Sequence, residues 1–165
     1  MSESLIGIVL GSKSDLSQIA DARALLDEFE VPYEVRIISA HRTPDEAHTY
    51  AATAKERGLK AIIAMAGMAA HLAGVMASSA QVPVLGVPAA GGALHGIHAL
   101  LATSQMPGGV PVATFAIGKA GATNAALFAC QMMALSDEAM AKKVAAFRER
   151  QADAVRAADK EARSG

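Results

Sequence analysis

The sequence predicts an α/β protein built on a doubly wound parallel sheet, and three observations support this fold class. Short apolar runs alternate with segments of helical period along the whole chain. Each apolar run is four to six residues long and lacks polar alternation, as expected of strands that are buried on both faces. Each intervening helical segment is long enough for the right-handed crossover that joins parallel strands.

The apolar runs are the predicted strands, and the longest apolar stretch of the chain contains one of them. That stretch, residues 61–80, includes Gly67, His71 and Gly74. We therefore interpret it as a buried strand, a loop and a helix rather than a membrane span. The five predicted strands cover residues 5–10, 33–38, 61–66, 84–87 and 112–116.

Helix-period segments follow the strands. Pro44 suits the first position of the second helix, because proline needs no N–H partner there. A charged, alanine-rich segment at residues 137–162 predicts an extra C-terminal helix. Its apolar positions, among them Met140, Val144 and Val155, indicate an amphipathic helix. The helices between and after the strands are predicted at residues 15–29, 44–57, 70–79, 96–105 and 120–135.

Length and composition indicate one domain, residues 1–165. With 165 residues and 52% hydrophobic content, the chain can bury one substantial core, whereas two domains would leave both cores small. The net charge is -1 and the charges are scattered, so no basic face favours nucleic acid as a partner. No membrane partner is predicted either. Because the apolar content is high, we expect helix faces to be buried between subunits of a homo-oligomer.

Cys130 is the single cysteine, which excludes an internal disulfide and a cysteine zinc cluster. It lies in an apolar run, so we expect it to pack in the interior rather than to act as a nucleophile. The first apolar run begins without a positively charged leader, which gives no indication of secretion. These observations predict a protein of the reducing cytoplasm.

The turn after the first strand has the outline of an anion site. In an open parallel sheet, ligands bind outside the carboxyl ends of the strands. Gly11 permits a tight turn there, and Ser12 and Ser14 offer hydroxyl groups where the next helix has unpaired N–H groups. The alternative is structural: Ser14 caps the helix, and Asp15 complements the helix dipole. The segment matches neither a Walker loop nor a dinucleotide-binding glycine pattern.

The turn after the second strand is more informative. His41 and Arg42 stand between a buried strand and a helix, next to the hydroxyl groups of Ser39 and Thr43. Arginine, hydroxyl groups and a helix N-terminus can bind phosphate, and histidine can transfer protons near neutral pH. An isolated histidine more often caps a helix or packs at the surface, but the adjacent arginine and the position favour a functional group.

The remaining histidines offer weaker cases. His71 ends an apolar Gly-Ala loop after the third strand, and a structural role is the favoured interpretation. His48, His95 and His98 have no neighbours that point to chemistry. No pair of histidines has the spacing of a zinc motif with cysteine or carboxylate residues, so no metal site is predicted.

Five segments of the chain match the motifs of one known family. They are Gly-Ser-Lys-Ser-Asp at 11–15, Ser-Ala-His-Arg-Thr-Pro at 39–44, Ala-Ala-His-Leu at 69–72, Met-Pro-Gly-Gly-Val-Pro-Val at 106–112, and residues 116–127. In this order and spacing, they resemble the 5-(carboxyamino)imidazole ribonucleotide mutases, the class I PurE proteins. The resemblance spans nearly the whole chain, and five motifs in register are highly specific.

The resemblance implies a three-layer flavodoxin-like domain that assembles into a homo-octamer and uses no metal, flavin or nucleotide cofactor. It implies that His41 is the general acid and base. It also implies that the substrates are a small-molecule ribonucleotide and CO2. The ribonucleotide would contact Ser12, Ser14, Asp15, Ser39 and Arg42, and the loop with Ala69, Ala70 and Leu72 would wall the CO2 pocket.

The implied reaction belongs to purine (IMP) biosynthesis and moves a carboxylate group from a carbamate nitrogen to a ring carbon. Met65 and Met68 stand where members of the family often have glycine, and Ala73 stands where proline is common. The related direct carboxylases tend to have lysine at the position of Arg42, so this arginine favours the mutase.

Two alternatives remain open at this point. One is a direct aminoimidazole ribonucleotide carboxylase that uses free CO2. The other is a flavodoxin-like binding or signalling module without catalysis. A flavin carrier needs aromatic side chains beside the ring, but the chain has two tyrosines and no tryptophan. A phospho-acceptor domain needs acidic residues clustered at strand ends, which the sequence does not show.

Overall fold

The predicted parallel sheet is confirmed. Within residues 4–164, which the computed structural model describes, five parallel strands form one sheet. They are β1 (Ile6–Leu10), β2 (Tyr33–Ile37), β3 (Ala61–Ala66), β4 (Val84–Pro88) and β5 (Ala113–Thr114). Their spatial order is β2-β1-β3-β4-β5, which is the flavodoxin-like order with its switch point between β1 and β3.

Helices connect the strands and make the fold a three-layer, doubly wound one. A 3-10 helix (Lys13–Ile19) and α1 (Ala20–Glu28) lead from β1 to β2. The next three crossovers run in the opposite direction along the sheet, so their right-handed connections place the helices on the other face. The helices of these crossovers are α2 (Pro44–Ala52), α3 (Leu72–Ala77) and α4 (Ile97–Ser104). The chain then continues with α5 (Lys119–Ala134) and α6 (Glu138–Ser164).

The core on the face of α2 and α3 is built from small and aliphatic side chains. Val9 and Ile62 of the sheet pack there with Ala47 of α2 and Met76 of α3, all of them fully buried. A β-carbon at Gly7 would overlap the hydroxyl group of Tyr50, which donates to Glu34 at 2.7 Å. The bare backbone of β1 therefore lets α2 lie close to the sheet, and α2 fixes the turn before it.

Most elements begin and end within two residues of the predicted bounds, and the clearest differences concern two helices and the last strand. The helix predicted at 15–29 begins as a 3-10 helix, because serine and aspartate side chains compete for backbone groups in its first turn. The helix predicted at 44–57 ends at Ala52, where the Thr53 hydroxyl group donates to the Thr49 carbonyl group at 2.8 Å. The last strand has only two residues, although the N–H of Phe115 after it still donates to the carbonyl oxygen of Gly86 at 2.9 Å.

The chain divides into two compact units, Met1–Ala129 and Cys130–Gly165. In the second unit, α6 is the extra C-terminal helix that the sequence predicts. Met140 and Val144 are buried, whereas Val155 is exposed. The Cys130 thiol is buried, and burial raises its pKa to about 11, which agrees with packing rather than nucleophilic attack. None of the described helices is long and apolar enough to cross a membrane.

Candidate active site

A cavity of about 480 Å³ opens where the carboxyl ends of β1, β2 and β3 meet. These three strands are neighbours in the sheet, so the turns that follow them converge although they are far apart in sequence. Such a position beside the switch point is where ligands bind in this class of sheet. The cavity is lined by Gly11, Ser12, Ser14, Asp15, Ser39, Ala40, His41, Arg42, Ala66, Gly67, Met68, Ala69, His71 and Leu72.

The first turn presents hydroxyl groups to the cavity. Ser12 caps the 3-10 helix, and its Oγ accepts from the backbone N–H of Ser14 at 3.3 Å. The expected alternative placed the cap at Ser14, but the structure places it two residues earlier, at Ser12. The Ser14 hydroxyl group lies 2.9 Å from Ser12 Oγ and 3.4 Å from Asp15 Oδ1. When Ser12 accepts from Ser14, its own hydroxyl proton can still point to an anion.

The second turn is held together by Ser39. Its Oγ accepts from the backbone N–H of Arg42 at 3.2 Å and from Arg42 Nε at 3.3 Å. Arg42 Nη2 donates to the carbonyl oxygen of Gly11 at 3.3 Å, which ties the second turn to the first. The guanidinium group is therefore positioned at the cavity while the side chain stays exposed. This arrangement offers a cation with its remaining N–H groups free to meet an anion.

His41 and His71 are in direct contact where they line the cavity. The distance between His41 Nε2 and His71 Nδ1 is 2.8 Å, and the rings meet edge to face with centroids 4.9 Å apart. A hydrogen bond between two imidazoles needs one N–H and one lone pair, so this contact can exist while the pair carries one extra proton or none. The two rings can thus hold a proton at the cavity in a fixed place.

The side of the cavity formed by the turn after β3 is apolar. Gly67, Met68, Ala69 and Leu72 line it. Ala70, which we predicted as a wall residue, is buried and is not among the residues that line the cavity. The cavity therefore joins a polar side, able to hold an anion, to a small apolar space.

Asp15 is the acidic group of the cavity and is only 7% exposed. Burial raises the pKa of its carboxyl group, while hydrogen bonds from the Ser14 hydroxyl group and the Ser12 backbone oppose the rise. A buried carboxylate with few protein donors retains capacity to accept hydrogen bonds from a ligand.

The sequence favoured a structural role for His71, and the resemblance placed Met68 in the loop that walls the pocket. His71 could have been found from its position alone, since it follows β3, and β3 and β2 both flank β1. Met68 does line the cavity, and the structure adds that its backbone is left-handed, with φ of 54°.

Comparison with protein families and individual proteins gives concordant matches. The family model described as AIR carboxylase matches residues 5–154. The N5-carboxyaminoimidazole ribonucleotide mutase of Bacillus subtilis is 54% identical over 145 residues, which cover 88% of this chain and 90% of that protein. The protein of the same name from Mycobacterium tuberculosis is 49% identical over 156 residues, covering 94% of this chain and 88% of that protein.

A solved structure supports the fold independently of sequence. The crystal structure of Treponema denticola PurE matches with a TM-score of 0.85 over 96% of this chain and 98% of that chain. Its sequence is 24% identical, so this likeness concerns the fold alone.

Proposed function

The chain belongs to the AIR carboxylase family, and from this membership we propose that it acts as an N5-carboxyaminoimidazole ribonucleotide mutase. The reaction is an isomerisation in purine biosynthesis, in which the carbamate of the substrate becomes the carboxylate of 4-carboxy-5-aminoimidazole ribonucleotide. The relatives with this activity share about half of their residues with the chain over most of its length.

One observation in the structure carries the proposal. His41 lies in a cavity that has hydroxyl groups and a guanidinium group on one side and an apolar wall on the other. A nucleotide substrate needs the first side, and a released molecule of CO2 needs the second. A proton-transfer group between them is what a decarboxylation followed by a carboxylation requires.

We propose the following contacts for the ribonucleotide. Asp15 accepts hydrogen bonds from the ribose hydroxyl groups, because its buried carboxyl group has few donors in the protein. Arg42 supplies a positive charge for the phosphate group. The hydroxyl groups of Ser12 and Ser39 donate to the same phosphate group, and Ser14 supports this contact by donating to Ser12 Oγ, which leaves the Ser12 proton for the ligand.

His41 can serve both halves of the reaction. It donates a proton to the carbamate nitrogen, the bond from that nitrogen to the carboxylate carbon breaks, and CO2 leaves. The ring carbon then attacks CO2 and forms the new carbon–carbon bond. Neutral His41 removes the proton from that ring carbon, so the ring regains its aromaticity and His41 regains its proton. The contact with His71 holds the imidazole in place through both steps.

CO2 is held between the two steps by the turn after β3. Ala69 and Leu72 line the apolar side, and Ala70 is buried behind them. Confinement beside the ring carbon makes the second step effectively intramolecular, so CO2 need not be recaptured from dilute solution.

An isotope experiment tests this function. Unlabelled carbamate substrate is converted in a buffer with isotopically labelled bicarbonate and CO2, and the label in the product is measured by mass spectrometry. We expect little label, because the transferred carboxylate keeps its original carbon when CO2 stays in the site. Product labelled to the same extent as the bicarbonate pool would refute the mutase and support a direct aminoimidazole ribonucleotide carboxylase.

Replacing Arg42 with alanine is expected to weaken nucleotide binding selectively. A hydrogen bond to a charged group contributes about 1.5 to 3 kcal/mol, and the exposure of Arg42 favours the lower value, so we expect roughly tenfold weaker binding. The affinity of the corresponding riboside, which has no phosphate, should change little. Calorimetric titration with both ligands measures the difference, and equal losses would show that Arg42 does not bind the phosphate group.

We also propose that the chain forms a homo-oligomer, with a homo-octamer as the expected size. Leu94, Ile97 and Leu101 support this proposal, because they are 59%, 53% and 56% exposed. The spacing of these residues places them along one side of α4 and the turn before it. Exposed aliphatic residues in such a row are typical of subunit contacts.

Light scattering at micromolar concentration is expected to report a symmetric assembly larger than a dimer. The double substitution Ile97→Lys with Leu101→Lys should reduce the assembly size, because it places charges in the proposed contact. A monomer for the unsubstituted chain would contradict the proposal.

We propose that the mutase activity is located in the cytoplasm, which suits a biosynthetic enzyme with a free thiol at Cys130.

A further inference from the structure

Gln18 joins the first turn of the site to the turn after β4. It lies on the 3-10 helix, three residues after Asp15. Its side-chain amide donates to the carbonyl oxygen of Ala90 at 3.2 Å, and its Oε1 accepts from the N–H of the same residue at 2.8 Å. One side chain thus bonds both backbone groups of a residue 72 positions away. Two parallel hydrogen bonds fix the distance between the two segments and also their orientation.

The 3-10 helix that carries Gln18 depends on contacts outside itself. It has seven residues, whereas the poorer hydrogen-bond geometry of this helix type usually limits it to about three or four. In a 3-10 helix, side chains three positions apart lie above one another, so Asp15 and Gln18 share one side of it. A tie at Gln18 therefore limits how far Asp15 can turn away from the cavity.

The Asp15 carboxylate has weak support from its own turn. The Ser14 hydroxyl group lies 3.4 Å from Asp15 Oδ1, which is long for a hydrogen bond between oxygen atoms. The placement of the carboxylate thus follows the placement of the helix backbone. Because Asp15 is only 7% exposed, a small rotation of the helix would change which part of the cavity its oxygen atoms face.

The turn after β5 packs against the contact between Gln18 and Ala90. A β-carbon at Gly118 would lie 3.2 Å from Ala90 Cβ and 3.5 Å from Gln18 Oε1. Gly118 has φ of 75°, and its N–H donates to the carbonyl oxygen of Pro88 at 2.8 Å. The turns after β1, β4 and β5 therefore meet at Gln18, and this packing leaves the amide little freedom to leave Ala90.

We propose that Gln18 is a positioning residue for the ribonucleotide, which holds the 3-10 helix so that Asp15 faces the cavity before the ligand binds. The proposal rests on the proposed mutase function, in which Asp15 accepts hydrogen bonds from the ribose hydroxyl groups. Gln18 is not among the residues that line the cavity, so it acts through Asp15. Without its contact to Ala90, the helix becomes ordered only on binding, and the cost of this ordering weakens the complex.

Gln18→Met in the full-length protein tests this role. Methionine has a similar volume but cannot donate to Ala90 or accept strongly from it. We expect KM for the carbamate substrate to rise about tenfold, the order of the cost of immobilising one side chain, while kcat falls less than about threefold. Calorimetric titration with the product nucleotide should show the same loss of about tenfold. A product analogue without ribose hydroxyl groups should bind less than about twofold more weakly.

The matched control is Gln81→Met. Gln81 Oε1 accepts from Lys55 Nζ at 3.3 Å, and Gln81 is not among the residues that line the cavity. Both kinetic constants should stay within about twofold of the parent, as is usual for an exposed polar side chain away from a site.

A double variant tests whether Gln18 acts through Asp15. In the Asp15→Asn background the charged ligand of the ribose is already lost, so adding Gln18→Met should weaken nucleotide binding less than about twofold further. Losses that add in full would show that Gln18 acts by another route, which overturns the proposal. So would an equal loss for the nucleotide and for the analogue without ribose hydroxyl groups.

Thermal unfolding distinguishes positioning from a structural role. A lowered melting temperature of Gln18→Met together with an unchanged KM would mean that Gln18 serves stability alone, which overturns the proposal while the mutase function stands. A parent that binds the product nucleotide but does not convert the substrate removes the mutase function, and the calorimetric comparison still decides the role of Gln18. A parent that binds no nucleotide overturns both.

Discussion

Replacing His41 with asparagine is expected to abolish turnover in both directions while ribonucleotide binding persists. The amide keeps a similar size and polarity, but it cannot exchange a proton at neutral pH. General acid and general base roles each contribute about 10²-fold to 10⁴-fold, so the loss of both should lower kcat by several powers of ten. Steady-state assays in each direction, together with calorimetric titration of the product nucleotide, measure the two effects separately.

The matched control is His48→Asn. His48 lies on α2 outside the cavity, and its Nδ1 is 2.8 Å from the hydroxyl oxygen of Ser79. Its loss removes an imidazole of similar exposure without touching the site, so activity should stay close to that of the parent. If His41→Asn retains activity within tenfold of the parent, His41 does not carry the proton transfers.

The three central strands were predictable because they are buried on both faces, whereas the edge strands β2 and β5 are partly exposed. The runs at β1, β3 and β4 consist of residues that are nearly all fully buried, and such strands stand out from the sequence as unbroken apolar segments. The order of the strands then follows from right-handed crossovers and the expected flavodoxin-like fold. The division into one domain stays a prediction.

The element ends were harder to predict, since they depend on single side chains. Thr53 ends α2 by a hydrogen bond to the backbone, although the residues after it continue the helical pattern. Likewise, Ser12 draws the next residues into a 3-10 helix. Helical periodicity reports which face is buried, whereas local hydrogen bonds of threonine and serine decide where a helix begins or ends.

Part of the site was also predictable, because the turns after β1 and β2 must meet at one edge of a parallel sheet. Ser12, Asp15, Ser39, His41 and Arg42 do line one cavity. Their roles toward the substrate stay predictions. Contacts between segments that are distant in sequence depend on side-chain rotamers, so the sequence alone does not predict them. The imidazoles of His41 and His71, 30 positions apart, are one such pair.

Replacing Asp15 with asparagine is expected to stabilise the unliganded protein and to weaken ribonucleotide binding. The carboxyl group is 7% exposed, and burial raises its pKa above the ordinary value of 3.8. A raised pKa means that folding disfavours the charged form of this acid. The neutral amide has nearly the same shape, so it avoids the cost of a buried charge.

The pH dependence of this effect has a definite sign. Below about pH 3.8, Asp15 is protonated in both the folded and the unfolded chain, and its stabilising contribution is fully present. As the pH rises through the raised pKa, the unfolded chain releases the proton more readily, so that contribution to the free energy of unfolding is lost. The extra stability of Asp15→Asn over the parent should therefore appear as the pH rises from about 3.8 through the raised pKa, and it should stay constant from there to neutral pH. Urea unfolding of both proteins at a series of pH values measures it.

Binding should change in the opposite direction, because the charge that destabilises the empty site is the one proposed to hold the ribose hydroxyl groups. A hydrogen bond to a charged group contributes about 1.5 to 3 kcal/mol. If two such bonds become bonds to a neutral group, nucleotide binding should be roughly 100-fold weaker. A nucleotide analogue without ribose hydroxyl groups should bind the parent and the variant equally. If Asp15→Asn lowers stability at neutral pH, or binds the nucleotide as tightly as the parent, Asp15 is a structural group of the first turn and not a ligand of the ribose.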